Sequence, residues 1–171
     1  MHPTEIDEVL NSMVCLCDSR EQPTKRLQAR LDTIGLPVER IALNAGDYSA
    51  KVMLPNGEWY QIPVALERKM DATELCTCFC QQRGRFTREF ERAKEAGIKM
   101  YLLIENTNWE NIYNGRYRSK MSPQALVASI LAWLARYDCQ IILCKAETSG
   151  RIIHDVLYRE AKEILMGMVD E

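Results

Sequence analysis

The sequence has no apolar run approaching the roughly 20 residues that cross a bilayer, so no membrane span is expected. It also lacks the basic start and apolar stretch of an export signal. Its first residues, Met1-His2-Pro3-Thr4-Glu5-Ile6-Asp7-Glu8, are acidic and amphipathic. Internal repeats and low-complexity tracts are missing, which excludes a solenoid or a disordered tail. Neither charge sign dominates: 22 Lys and Arg face 24 Asp and Glu, a net charge of -2. That excludes a protein that coats nucleic acid by charge alone, but not an enzyme with clustered basic residues. There are two histidines, and neither has a partner pattern for catalysis: His2 falls on an expected frayed terminus, His154 on the exposed or interface side of the last helix. The cysteines number seven, which is odd. Without an export signal they argue against a disulfide framework and for a reducing cytoplasm. What is present is a chain of 171 residues, 47% hydrophobic, expected to be one domain (residues 1–171) around a single core.

Met13 to Cys17 reads as a buried strand that runs into the polar loop Asp18-Ser19-Arg20-Glu21. Leu27, Leu31 and Ile34 recur at helical spacing from about Thr24, and Gly35 is placed to cap that helix. Val38 to Leu43 is expected to be a second strand, and Asn44 to Asp47 a turn. Tyr48–Leu54 and Trp59–Lys69 read as a hairpin joined by Pro55-Asn56-Gly57-Glu58, with Pro63 marking a bulge or an edge. Asp71, with Glu74 three residues on, is a helix N-cap. The helix after it is expected to break near Gly84 and to resume from about Arg85 to Ala96. Lys99–Glu105 and Gln140–Cys144 read as strands; helices start at Ser122-Pro123 and run from Gly150 to Val169. Helices that alternate with short strands around one hairpin predict an α/β domain with a mixed sheet flanked by helices.

The strand Val64 to Lys69 carries the sharpest chemistry. Alternate side chains share a face, so Ala65, Glu67 and Lys69 point one way and Val64, Leu66 and Arg68 the other. Asp47 opens the partner strand of the hairpin, which can bring it back beside Glu67. Two carboxylates and a lysine suit phosphodiester hydrolysis. Mg2+ takes hard oxygen ligands and keeps several waters, and a lysine can orient the attacking water or offset the developing charge. Alone, Glu-x-Lys would describe an exposed ion pair of little worth. The upstream Gly46-Asp47 and the strand context favour the site.

Gly46-Asp47-Tyr48 followed by Glu67-Arg68-Lys69 resembles the Gly-Asp…Glu-Arg-Lys signature of the XPF-type structure-specific endonucleases, the excision-repair cross-complementation group four domain. Asp18-Ser19-Arg20-Glu21 is similar to that family's Asp-x-Arg-Glu segment, and Gly84-Arg85-Phe86, with Glu89 and Arg92, to its Gly-Arg-Leu/Phe segment. The resemblance spans about Met13 to Glu105. It implies a restriction-endonuclease-like, PD-(D/E)XK-type fold and cleavage of branched or structured DNA with Mg2+ or Mn2+, in repair, recombination or replication. By motif, Asp47 and Glu67 would hold the metal, Lys69 would be the catalytic lysine, and Asp18 would line the site as a further catalytic acid. Arg20, Glu21, Arg68 and Arg85 would support the site or hold DNA. The family usually has an Asp where this chain has Thr73, with Asp71 or Glu74 as stand-ins. No helix-hairpin-helix module is expected, and a homodimer or a partner protein could supply specificity.

Asn108 to Lys120 interleaves aromatics with Arg116, Arg118 and Lys120, a pattern suited to stacking bases and holding phosphates. The plainer reading is a loop pinned in the core by Trp109 and Tyr113. Cys15, Cys17, Cys76, Cys78 and Cys80 match no zinc or cluster spacing and read as small hydrophobes. Against the endonuclease stand a non-catalytic DNA-binding module of the same fold and a resolvase or exonuclease of the same superfamily.

Overall fold

The computed structural model describes residues 1–169. The chain divides into two compact units. The first holds Met1–Leu43, Asp47–Ala65 and the stretch from Gly150 on; the second holds Asn44–Gly46 and Leu66–Ser149.

In the first unit a 3-10 turn (Pro3–Glu5) leads into α1 (Ile6–Asn11), β1 (Val14–Asp18), α2 (Lys25–Ile34), β2 (Val38–Ile41), β3 (Tyr48–Met53) and β4 (Trp59–Gln61). The terminus is capped rather than frayed: the His2 side chain accepts from the Thr4 N–H, and Glu5 accepts from the His2 N–H. Thr24 caps α2 through the Leu27 N–H, and Gly35 ends it at φ +69°, the left-handed conformation that favours glycine. β1 pairs with β2 in parallel and with β3 antiparallel, and β3 pairs with β4 antiparallel. The strand expected over 59–69 is two strands. Pro63 lacks an N–H for the ladder, and β4 ends before it while β5 (Val64–Lys69) begins after it. β2 stops at Ile41, two residues early.

In the second unit come α3 (Ala72–Phe79), α4 (Arg83–Glu95), β6 (Lys99–Glu105), α5 (Trp109–Tyr113), α6 (Pro123–Tyr137) and β7 (Gln140–Cys144), the last parallel to β6. Asp71 caps α3 by accepting from the Glu74 N–H at 2.8 Å. The helix break lies at Cys80–Gln82, where Cys80 leaves the helical region at φ -105°, ψ -87°; Gly84 sits inside the first turn of α4. α5 was not foreseen, because the segment's polarity hid a short helix capped by Asn108. Phe79, Phe86, Phe90 and Tyr137 surround Trp133, with ring centroids 5.1–5.9 Å from the Trp133 ring. α7 (Ala146–Gly167) begins four residues before its expected start.

The seven strands form one mixed sheet in the order β2-β1-β3-β5-β6-β7, with β4 paired to β3 off that path. This is the helix-flanked, restriction-endonuclease-like α/β fold that the motifs imply.

Candidate active site

Around Asp47 the backbone is fixed from several directions. Gly46 has φ +79°, a conformation that side chains rarely adopt. Its N–H donates to Glu89 Oε1 at 3.0 Å, and Arg92 Nε donates to the Asn44 carbonyl at 3.2 Å. Thus α4 holds the turn that leads into Asp47. The Asp47 carbonyl accepts from the Asp18 N–H at 2.8 Å. The next residue, Tyr48, is fully buried, and its hydroxyl accepts from Arg30 Nη1 at 2.8 Å. Burial pushes the Tyr48 hydroxyl pKa up, with Arg30 opposing it. Asp47 itself is half-buried.

Asp18 is 2% exposed and its carboxylate collects four donors. Arg20 contributes its N–H and Nε at 2.8 Å and Nη2 at 2.7 Å, and the Leu43 N–H lies at 3.0 Å. Burial raises the Asp18 pKa, but the hydrogen bonds from Arg20 and Leu43 outweigh it, and the net direction is downward. Arg20 Nη2 also reaches the Leu43 carbonyl at 3.0 Å. Sequence reasoning missed Arg40, whose Nη2 gathers the carbonyls of Asp18, Ser19 and Glu21. Its only signal was a basic residue on a strand beside the loop. Asp18, Arg20 and Arg40 therefore organise the 18–21 loop, which also carries Glu21.

In the second unit Glu67 is 4% exposed, and Lys69 Nζ lies 3.3 Å from its Oε1. The two share a strand face as the alternation demanded. Lys69 Nζ also sits 5.3 Å from the centre of the Phe86 ring, so the Gly84-Arg85-Phe86 segment gives the lysine an aromatic seat. Arg68, on the opposite face, makes a bidentate pair with Glu105: Nε to Oε2 at 2.8 Å, Nη2 to Oε1 at 2.6 Å. Glu105, the last residue of β6, is 1% exposed, and a Glu at the end of that apolar strand was its only signal. Asn106, at φ +58°, then donates from Nδ2 to the Met70 carbonyl at 3.1 Å and accepts the Ala146 N–H on Oδ1 at 3.2 Å. The segment after Lys69 is thereby tied to the end of β6.

The basic residues split by role. Arg85 is exposed in the first turn of α4. Arg116, Arg118 and Lys120 are exposed after α5, where Ile112 is the buried anchor and Tyr113 is 60% exposed. Tyr113 is therefore no core pin. His154 is half-buried and bonds through Nδ1 to the Ile34 carbonyl at 2.7 Å, so it caps α2 rather than facing out. Among the described residues no group of three or more His, Cys, Asp or Glu could hold a metal. Burial pushes the Cys15 thiol up to about 12 and the Cys17 thiol to about 11. Thiols so raised stay protonated and behave as small hydrophobes.

Comparison with known proteins bears on this arrangement. No curated protein matches the chain. Among solved structures it is similar to XPF from Aeropyrum pernix, at a TM-score of 0.63 and 17% identity, covering 91% of this chain and 68% of that one. It is also similar to XPF from Aeropyrum pernix in complex with DNA, at 0.59 and 19%, covering 88% of this chain and 66% of that one. At such identity the likeness speaks for the fold. The ERCC4 domain family model matches residues 17–156, from the strand that carries Asp18 to the middle of the last helix. With its Gly-Asp turn clamped by α4 and its Glu-Arg-Lys strand braced by Glu105, the chain belongs to the ERCC4 domain family, that of the XPF-type nuclease domain.

Proposed function

We propose that the chain is a divalent-metal-dependent DNA endonuclease acting on structured DNA, with Asp47 and Glu67 as ligands of Mg2+ or Mn2+ and Lys69 as the catalytic lysine. The observation that carries the reading is the Glu67–Lys69 pair, side by side on β5 with Glu67 buried and Lys69 half-buried, in a chain of this family. The donor chemistry suits a hard cation: both ligands are carboxylates, and a carboxylate 4% exposed requires cationic company.

A divalent ion bound there supplies Lewis acidity and an activated water. Lys69, with its ammonium against the Phe86 ring, offers donors to that water or to a phosphoryl oxygen as charge develops. Arg68 contributes through Glu105, whose bidentate grip fixes the facing of β5 and so of Glu67 and Lys69. Asp18, its carboxylate engaged by four donors, acts as an organiser of the loop beside Asp47 rather than as a reacting acid. The exposure of Arg85 in the first turn of α4 supports its role as a contact to the DNA backbone.

The test is incubation with end-labelled single-stranded, duplex, flap, fork and four-way-junction DNA in Mg2+, Mn2+ or EDTA. Cleavage that needs metal is expected, with a loss of at least about a hundredfold in Lys69→Ala, Asp47→Ala and Glu67→Ala. Binding to one DNA shape without cleavage under any metal would favour the non-catalytic module, and stepwise shortening from an end would favour an exonuclease.

A further inference from the structure

Two residues beyond Lys69 the second unit opens into a cleft of about 620 Å3. Its walls come from Asp71 and Thr73 at the start of α3, Thr107 after β6, and Arg116, Tyr117 and Arg118 after α5. That volume falls in the range of pockets that hold ligands of nucleotide size.

The arginine wall is built rather than loose. The Arg118 N–H donates to Thr73 Oγ1 at 3.0 Å, and the Arg116 N–H to the Asn111 carbonyl at 2.8 Å. The Tyr117 hydroxyl donates to the Met121 carbonyl at 2.7 Å. Gly115 takes φ +69°, and a Cβ there would lie 3.3 Å from Pro123 Cγ. A loop held this way keeps both guanidinium stems in place before any ligand arrives, which lowers the entropic cost of binding. The side chains of Arg116 and Arg118 remain exposed. The one lining carboxylate, Asp71, is already engaged as the cap of α3. On α5, the helix that leads into this wall, Tyr113 is 60% exposed, its ring 6.4 Å from Trp109.

A duplex presents its phosphates on a convex cylinder, and stacked pairs bury the faces of its bases. A concave cleft walled by two arginines, with an exposed aromatic on the helix that leads into that wall, suits instead a strand whose bases are free to turn outward. We infer that this cleft is a subsite for an unpaired DNA strand, in which Arg116 and Arg118 hold successive phosphates and Tyr113 stacks a base. Resting on the nuclease reading, this places selection of the unpaired arm of a branched substrate in the nuclease fold itself, on the residues that follow the catalytic strand.

Binding is measured by fluorescence anisotropy in EDTA, without cleavage, using an oligothymidylate and a duplex of equal length over a range of salt. The Arg116→Ala/Arg118→Ala variant is expected to bind the single strand about tenfold more weakly and the duplex within about twofold of wild type. The slope of log affinity against log salt should fall by about 1.4, the value for two single-strand phosphates. Arg116→Lys/Arg118→Lys should restore that slope. Tyr113→Ala should lose at least about fivefold on the single strand with the slope unchanged, as for a stacked base. Unchanged single-strand affinity in the double Ala variant, or an equal loss on duplex, overturns the subsite. Because the assay needs no catalysis, the two readings fail separately. A wild-type protein that cleaves nothing yet shows these losses sinks the nuclease and keeps the cleft, and an active nuclease without them does the reverse.

Discussion

Arg68, a residue of the Glu-Arg-Lys motif, is held by Glu105 in a bidentate ion pair. Removing one partner of a buried, bidentate ion pair leaves a desolvated charge behind, which is far worse than never having built the pair. Glu105 has a side chain 1% exposed and Arg68 one 16% exposed, so solvent screens little. Glu105→Ala should therefore destabilise the protein by about 3 kcal/mol in urea unfolding. A loss under about 1 kcal/mol would show that the pair is not the brace of β5. Asp18 gives a pH-dependent version of the same argument. Its folded pKa lies below the ordinary 3.8, so its contribution is complete above that value and is lost as the pH falls through the lower folded one. Asp18→Asn should cost about 2 kcal/mol at pH 7, and the gap to wild type should shrink below about pH 3.5. A gap that stays constant from pH 7 to pH 2.5 would contradict the assignment.

At the scale of elements, α7 shows packing overriding propensity. Within the first unit Gly150 is buried where α7 meets α2: a Cβ there would lie 2.7 Å from Thr33 Cβ and 2.8 Å from the Arg30 carbonyl oxygen. Alanine favours a helix over glycine by about 1 kcal/mol. Here a backbone atom stands in the way, and forcing the helices apart costs about 1–3 kcal/mol. Gly150→Ala should thus lower the melting temperature, against the propensity scale; a rise would mean that α2 yields easily. One turn on, His154 caps the Ile34 carbonyl, and from Ile153 the stripe Leu157, Ala161 and Leu165 is fully buried. A 3.6-residue period makes Ile153, Leu157 and Leu165 legible as one apolar face, whereas Ala161 takes a core place that hydrophobicity alone understates. α5 was illegible for the opposite reason. It is five residues long and largely polar, so its existence depends on the Asn108 cap and the buried Ile112 rather than on any period.

For the whole molecule, the mixed sheet sets side by side strands that chain order keeps apart. The activity prediction belongs at this scale. On the proposed reading, a single Lys69→Ala change should cut cleavage by at least about a hundredfold in a protein that still folds, because the lysine's proposed role is chemical while the strand is braced elsewhere, by Arg68 and Glu105. The sequence alone determined the type of most elements, the helix starts near Thr24 and at Ser122-Pro123, the cap at Asp71, the sharing of one face by Glu67 and Lys69, and the family signature. These are local properties, set by side-chain period, backbone conformation and residue order. The tertiary structure alone decided that Glu89 and Arg92 clamp the turn before Asp47. It likewise decided that Asp18 is filled by Arg20 and Leu43, that Arg68 turns to Glu105, and that Thr73 tethers the arginine loop of the cleft. All but the Asp18–Arg20 pair join polar groups far apart along the chain, and no local pattern fixes which donor a buried acceptor will meet once the chain has closed.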